Sequence, residues 1–213
     1  MPVEILFQAF TKPDFTLATF MVSDELLWKN LREGHELSFS ELFERYYRLL
    51  VNYGNSLMSH SERVQDCVQD VFVDIWLYRH SLQETVVVKA YLLSSVRKRI
   101  ARLHERDAVF RKTTSLEHVE FSMDFSIEDQ LIADEETAIK VNQLNHLINS
   151  LPPRQKEALY LRYHHGLSIE QIAEMLNINY QSVTNLLHRA IVHLRKEWKG
   201  DLALFFLLFS EII

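Results

Sequence analysis

Apolar side chains recur every three or four residues through most of the chain and seldom alternate, so the pattern predicts helices rather than strands. Ser23 stands where an N-cap belongs, opening a short helix to about Arg32. Ser38 followed by Glu41 has the form of a capping box, opening a helix with Phe39, Leu42, Phe43, Tyr46, Leu49 and Leu50 on one side and thinning at Gly54. Ser61 is placed to cap a helix over 62–79, and Lys89 to Arg106 forms another; Glu84 to Val88, rich in β-branched residues, is expected either as a loop between them or as the start of the second. Residues 1–22 carry no period and contain Pro13, so they are expected as a loose extension, with Met21 as an alternative start.

Residues 107–136 lose the helical period. A stretch of that length is long for a loop inside one compact domain, which predicts a linker between a first domain at 23–106 and a second at 137–199. Helices resume near Thr137, break at Leu151-Pro152-Pro153 with Pro153 in the next first turn, and stop at Gly166. Ser168 with Gln171 is a second capping box, opening a helix to about Asn177, and Asn179 caps a last one from Tyr180 to Trp198. Ile169, Ile172, Ala173 and Leu176 line one face of the first of these, with Ala173 small enough for a close crossing and Ile178 expected as a buried plug in the turn. Val183, Leu186, Leu187 and Ala190 put one face of the second on the core. That leaves Tyr180, Gln181, Ser182, Thr184, Asn185 and Arg189 outward, near the end that a recognition helix points into the major groove. The pattern is a helix-turn-helix; an ordinary helical hairpin is the plainer alternative.

Composition agrees with an all-α fold of two small domains: 4 Gly and 4 Pro in 213 residues are too few for the tight turns of a sandwich or barrel, and 47% hydrophobic residues suffice for a core. One cysteine, Cys67, allows neither an internal disulfide nor a cysteine-based zinc site, and suits a cytoplasmic protein. The longest apolar run, Leu202 to Phe209 in the tail 200–213, is far short of the ~20 residues a spanning helix needs. That tail is expected either as a helix extension packed on the second domain or as a docking segment.

Charge sharpens the picture more than its total of −6 suggests. Residues 89–112 hold 8 basic and 2 acidic groups, while residues 113–136 hold 8 acidic groups and no basic one. The basic block is a candidate phosphate-binding surface, because each cation near a phosphate releases a condensed counterion, although composition alone favours an ordinary solvated helix face. The acidic block beside it should repel free duplex, leaving weak affinity until a partner masks or moves it. On the helix 62–79, at about 100° per residue, Val64, Cys67, Val68, Val71, Phe72 and Ile75 cluster on one side, and Glu62, Asp66, Gln69, Asp70 and Val73 on the other, with Trp76 at the border. A solvated face is the plain account of such a stripe.

Three segments in the first domain are Phe43-Glu-Arg-Tyr-Tyr, Val64-Gln-Asp-Cys-Val-Gln-Asp-Val-Phe-Val-Asp-Ile-Trp and Lys89-Ala-Tyr-Leu-Leu-Ser-Ser-Val-Arg-Lys-Arg. They resemble conserved region two of extracytoplasmic-function RNA polymerase sigma factors. Leu151-Pro-Pro-Arg-Gln-Lys-Glu-Ala-Leu through Leu194-Arg resembles their region four, and the style is nearest to Bacteroidetes members. The resemblance implies an alternative sigma factor that binds core RNA polymerase and promoter DNA and has a cognate anti-sigma factor, often membrane-bound. It implies no cofactor, no small-molecule substrate and no catalytic residue. By motif position it puts polymerase contacts on Asp66, Gln69, Asp70 and Phe72. Minus-ten contacts fall on Tyr91, Arg97, Lys98, Arg99, Arg102 and Arg106, and minus-thirty-five contacts on Tyr180, Gln181, Ser182, Thr184, Asn185 and Arg189. Many relatives carry Asn where Lys98 stands, which favours a phosphate contact there over a base contact. Relatives often carry Arg or Lys at Thr184 and Leu186, which shifts phosphate anchoring toward Arg189, Arg195 and Lys196.

The rival reading is a one-component helix-turn-helix regulator with an N-terminal sensor domain; a sensor has no need of an acidic, Gln-bearing stripe followed by a basic helix. A helical metal-dependent hydrolase would need ligand spacing that is missing, since His164 and His165 are adjacent and His188 and His193 are five apart, unlike the i, i+4 pair of a zinc helix.

Overall fold

The computed structural model describes residues 22–110, 121 and 135–198. The expected N-terminal extension, most of the acidic linker and the apolar tail lie outside the described residues. Eight helices are described: α1 (Asp24–Arg32), α2 (Glu36–Leu57), α3 (Ser61–Leu77), α4 (Val88–Phe110), α5 (Glu135–Asn149), α6 (Pro153–Leu159), α7 (Ile169–Leu176) and α8 (Tyr180–Glu197), with no strand among the described residues. The described residues divide into two compact units, the first within 22–54 and 60–99 and the second within 55–59 and 100–198, the division falling inside α4.

In the first unit, α1 starts where Ser23 accepts a hydrogen bond from the Leu26 N–H at 3.3 Å, with Asp24 and Glu25 in its first turn and Lys29 and Arg32 in its last. Those charges oppose the helix dipole at both ends. Trp28, 1% exposed, donates from Nε1 to the Gln83 carbonyl at 3.0 Å, and Arg32 Nε donates to the Leu82 carbonyl at 3.1 Å, so α1 pins the loop ahead of α4. Arg45 of α2 donates to Asp24 at 2.6 Å and to Glu41 at 2.9 Å, while Tyr46 donates its hydroxyl to Asp24. The motif residues Arg45 and Tyr46 thus fasten α2 to the start of α1.

The second capping box is present, but the first is not. Gly34, at φ +93°, makes a turn that lets α2 begin at Glu36, so Ser38 is already helical and buried instead of capping. Likewise α3 starts at Ser61 with His60 as N-cap, whose side chain makes no cap hydrogen bond. α4 runs four residues beyond Arg106, and α5 begins at Glu135, two residues before Thr137.

In the second unit, α8 packs on α5, α6 and α7. Pro152 and Pro153 open α6 as N-cap and first residue, and a π-type turn over Tyr160–His164 leads to Gly166 at φ +66°. Arg162 closes that loop by donating to the Leu167 carbonyl at 2.9 Å. Phe121, from the expected linker, is 2% exposed with its ring 5.3 Å from Tyr160.

Candidate nucleic-acid interface

The turn between α7 and α8 is built by local chemistry. Ser168 and Gln171 satisfy each other's backbone N–H groups at 3.3 and 2.9 Å, fixing the start of α7. Asn177 ends it in the left-handed region at φ +53°, and the Ile178 N–H reaches back to the Ala173 carbonyl at 3.0 Å, a Schellman closure. Asn179 then accepts from the Ser182 N–H at 2.7 Å and starts α8. Ile178 is half-buried, not the buried plug expected, because backbone bonds rather than a side chain close the turn.

Val183, Leu187, Ala190 and Leu194 hold α8 on the core. Opposite them Tyr180, Gln181, Asn185 and Arg189 are exposed, and Ser182 and Thr184 half-buried, so all six expected contacts share the outer side or its N-terminal edge. Gln181 donates to Asn185 at 3.2 Å, ordering the amide pair, and Thr184 donates its hydroxyl to the Tyr180 carbonyl at 3.1 Å. That hydroxyl is already spoken for.

In the first unit, α3 divides as its period implies. Val64, Cys67, Val68, Val71, Phe72 and Ile75 are buried, while Glu62, Asp66, Gln69 and Asp70 are exposed. Phe72 requires a correction: at 1% exposure, with its ring 4.9 Å from Phe43 and 6.0 Å from Phe39, it is a core residue and offers no surface to a partner. The motif carried it into the expected contact set, although the period put it inside. Burial also pushes the Cys67 thiol up, away from the reactive thiolate.

On α4, Lys98, Arg102 and Arg106 are exposed and recur every four residues, forming one cationic row. Arg97 is half-buried. Tyr91, also half-buried, meets Trp28 edge-on at 5.1 Å, and burial raises its phenol pKa. Its ring is engaged by α1. Arg99 departs from the expectation of a free phosphate contact, because it donates from Nη2 to Asp70 and from Nη1 to Asp74, each at 2.7 Å. Asp74 was missed from the sequence, although its spacing of four from Asp70 puts both carboxylates on one helix face.

Among the described residues no group of three or more His, Cys, Asp or Glu side chains is placed to hold a metal ion, and no helix is long and apolar enough to cross a membrane. His164 stacks on Tyr160 and His165 meets it edge-on, with ring centroids 4.8 and 4.6 Å away.

Residues 42–108 match the family model for Sigma-70 region 2, and residues 142–194 the one for Sigma-70, region 4. Over 162 residues, 76% of the chain and 92% of the relative, the sequence is 25% identical to RNA polymerase sigma factor YlaC of Bacillus subtilis (strain 168). It is 23% identical over 167 residues, 76% of the chain and 84% of the relative, to ECF RNA polymerase sigma factor SigX of the same organism. In fold it is similar to the sigma factor RpoE solved with the anti-sigma factor NepR from Bartonella quintana, at TM-score 0.53 and 20% identity over 76% of this chain and 98% of that one. It is also similar to CnrH solved with the cytosolic domain of CnrY, at TM-score 0.50 and 17% identity over 81% of this chain and 95% of that one.

Proposed function

The chain belongs to the sigma-70 family as an alternative sigma factor of the extracytoplasmic-function type, directing transcription initiation, and from that premise we propose how its helices divide the work. The exposed stripe Asp66, Gln69 and Asp70 on α3 meets a basic surface of core RNA polymerase. Carboxylates there add rate and specificity to docking more than raw affinity. The cationic row Lys98, Arg102 and Arg106 on α4 runs along the minus-ten backbone, where each cation neutralises a phosphate.

α8 enters the major groove at the minus-thirty-five element. Its Gln181–Asn185 amide pair is turned toward base edges, while Arg189 meets the backbone. The factor works in the cytoplasm and performs no catalysis of its own; the polymerase makes the bonds. Its regulator is an anti-sigma factor, a reading supported by the anti-sigma factor NepR that accompanies the solved sigma factor RpoE.

The observation that carries this reading is the order of the two matched regions on one chain, each with its polar side outward. A one-component regulator has no use for the first. The test is co-purification with core polymerase followed by run-off transcription from genomic fragments. A stoichiometric complex giving discrete new start sites is expected; a protein that ignores polymerase and binds a duplex operator alone overturns the reading.

A further inference from the structure

The acidic side of α3 and the basic side of α4 are tied to each other. Asp70 and Asp74 stand one turn apart on α3, and the Arg99 guanidinium of α4 forks between them, one nitrogen to each carboxylate at 2.7 Å. The side chains are 31% exposed for Arg99, 54% for Asp70 and 53% for Asp74, so the clamp lies at the surface within reach of a partner. Arg99 also directly follows Lys98 and lies three residues before Arg102, at the border of the cationic row. One guanidinium therefore occupies a carboxylate assigned to polymerase and is itself withheld from phosphate.

We propose that this fork is a lock shared by the two surfaces, opened when core polymerase takes Asp70, whereupon Arg99 joins the cationic row against promoter DNA. The proposal rests on the docking face assigned above. Because docking and DNA contact break the same bonds, each favours the other, and such coupling is reciprocal between the two ligands. A second carboxylate is what makes it a lock. Asp74 lies one turn beyond Asp70 on the same face and is not among the residues assigned to docking; it holds Arg99 against Asp70, and charge-assisted bonds from a planar fork are stronger and more directional than a single exposed pair. Exposure keeps the lock weak enough to open, since surface pairs contribute little each.

The lock predicts a sign that simple charge does not. Removing a carboxylate from an acidic face should weaken its attraction for a basic partner. Asp74→Ala instead leaves Arg99 held by Asp70 alone and easier to displace, so affinity for core polymerase rises roughly 3–5-fold, the range that surface ion pairs allow. Glu62→Ala removes the same charge from the exposed side of α3 without touching Arg99, and its affinity stays level or falls.

The experiment is titration of wild-type protein, Asp74→Ala, Glu62→Ala and Asp70→Lys with core polymerase, with melting curves to check folding. It is followed by titration of a fluorescent single-stranded minus-ten oligonucleotide with each protein alone and each holoenzyme. Asp74→Ala is expected to bind core tighter than either Glu62→Ala or wild type. It should also bind the oligonucleotide tighter when free, and to match wild type within the holoenzyme, where the lock is already open. Core affinity that falls alike in Asp74→Ala and Glu62→Ala overturns the lock while leaving the docking face intact, provided Asp70→Lys abolishes binding. Unchanged core affinity in a folded Asp70→Lys overturns the docking face itself.

Discussion

Asp70 and Phe72 are two residues apart on α3 and have opposite fates, one exposed on the outer stripe and the other 1% exposed between Phe39 and Phe43. A helical turn of 3.6 residues separates them by about 200°, so a two-residue step crosses the helix. Phe72→Ala should therefore destabilise the protein by about 3–5 kcal/mol, as emptying a large aromatic site does. Urea unfolding followed by circular dichroism measures it, and a loss under about 1 kcal/mol would return Phe72 to the surface. Tyr160 carries a different residue-scale signature. It is 2% exposed, and burial pushes its phenol up to about 12 from 10.0. Between those values the unfolded chain gives up the proton first, so stability present below pH 10 is lost as pH rises toward 12. The slope of unfolding free energy over that interval should flatten in Tyr160→Phe; an unchanged slope would mean that other groups carry the alkaline sensitivity.

At the scale of elements, what was legible in the sequence depended on whether its signal was local. Ser23, Ser168 with Gln171, and Asn179 cap helices as their spacing implies, because the cap bond spans only three residues. Ser38 and Ser61 have the same chemistry and do not cap. Gly34 turns the chain early enough for α2 to start before Ser38, and α3 takes Ser61 as its first residue instead. Local spacing cannot reveal where the preceding turn releases the chain. The candidate surfaces divided in the same way. Periodicity separated the outward residues of α3 and α8 from the core, but the pairing of Arg99 with Asp70 and Asp74 joins positions 29 and 25 residues apart and has no signature in either helix. Asn179→Ala tests the local part: losing the 2.7 Å cap should destabilise by about 0.5–2 kcal/mol and loosen the start of the helix assigned to the promoter. Hydrogen exchange should speed up at the Ser182 amide, which loses the cap, while Leu194, about three turns away, stays protected; equal change at both would mean that the helix loosens as a whole.

Across the whole molecule the charges oppose DNA binding even though two surfaces are read here as binding it. The net charge is −6, and residues 113–136 contribute eight acidic groups directly after a basic block that carries eight cations. Within a Debye length of about 8 Å at physiological salt these blocks feel each other, but farther apart they are screened. A sigma factor that held duplex tightly on its own would be spread over the genome, since every sequence offers the same phosphates. We propose that acid in the chain keeps the free protein off DNA and leaves promoter contact to the holoenzyme. Replacing Glu117, Glu120, Asp124, Glu128 and Asp129 with the corresponding amides removes five of these charges and takes the net from −6 to −1. The free variant should bind a random-sequence duplex roughly tenfold tighter at low salt, the lower end of what a change in long-range field achieves. Raising the salt should close the gap, because a difference made of long-range charge must fade as the Debye length shrinks. A gap that persists at high salt would mean that these residues shape the protein and do not simply repel DNA, and no gap at low salt would place the acid out of electrical reach of both surfaces.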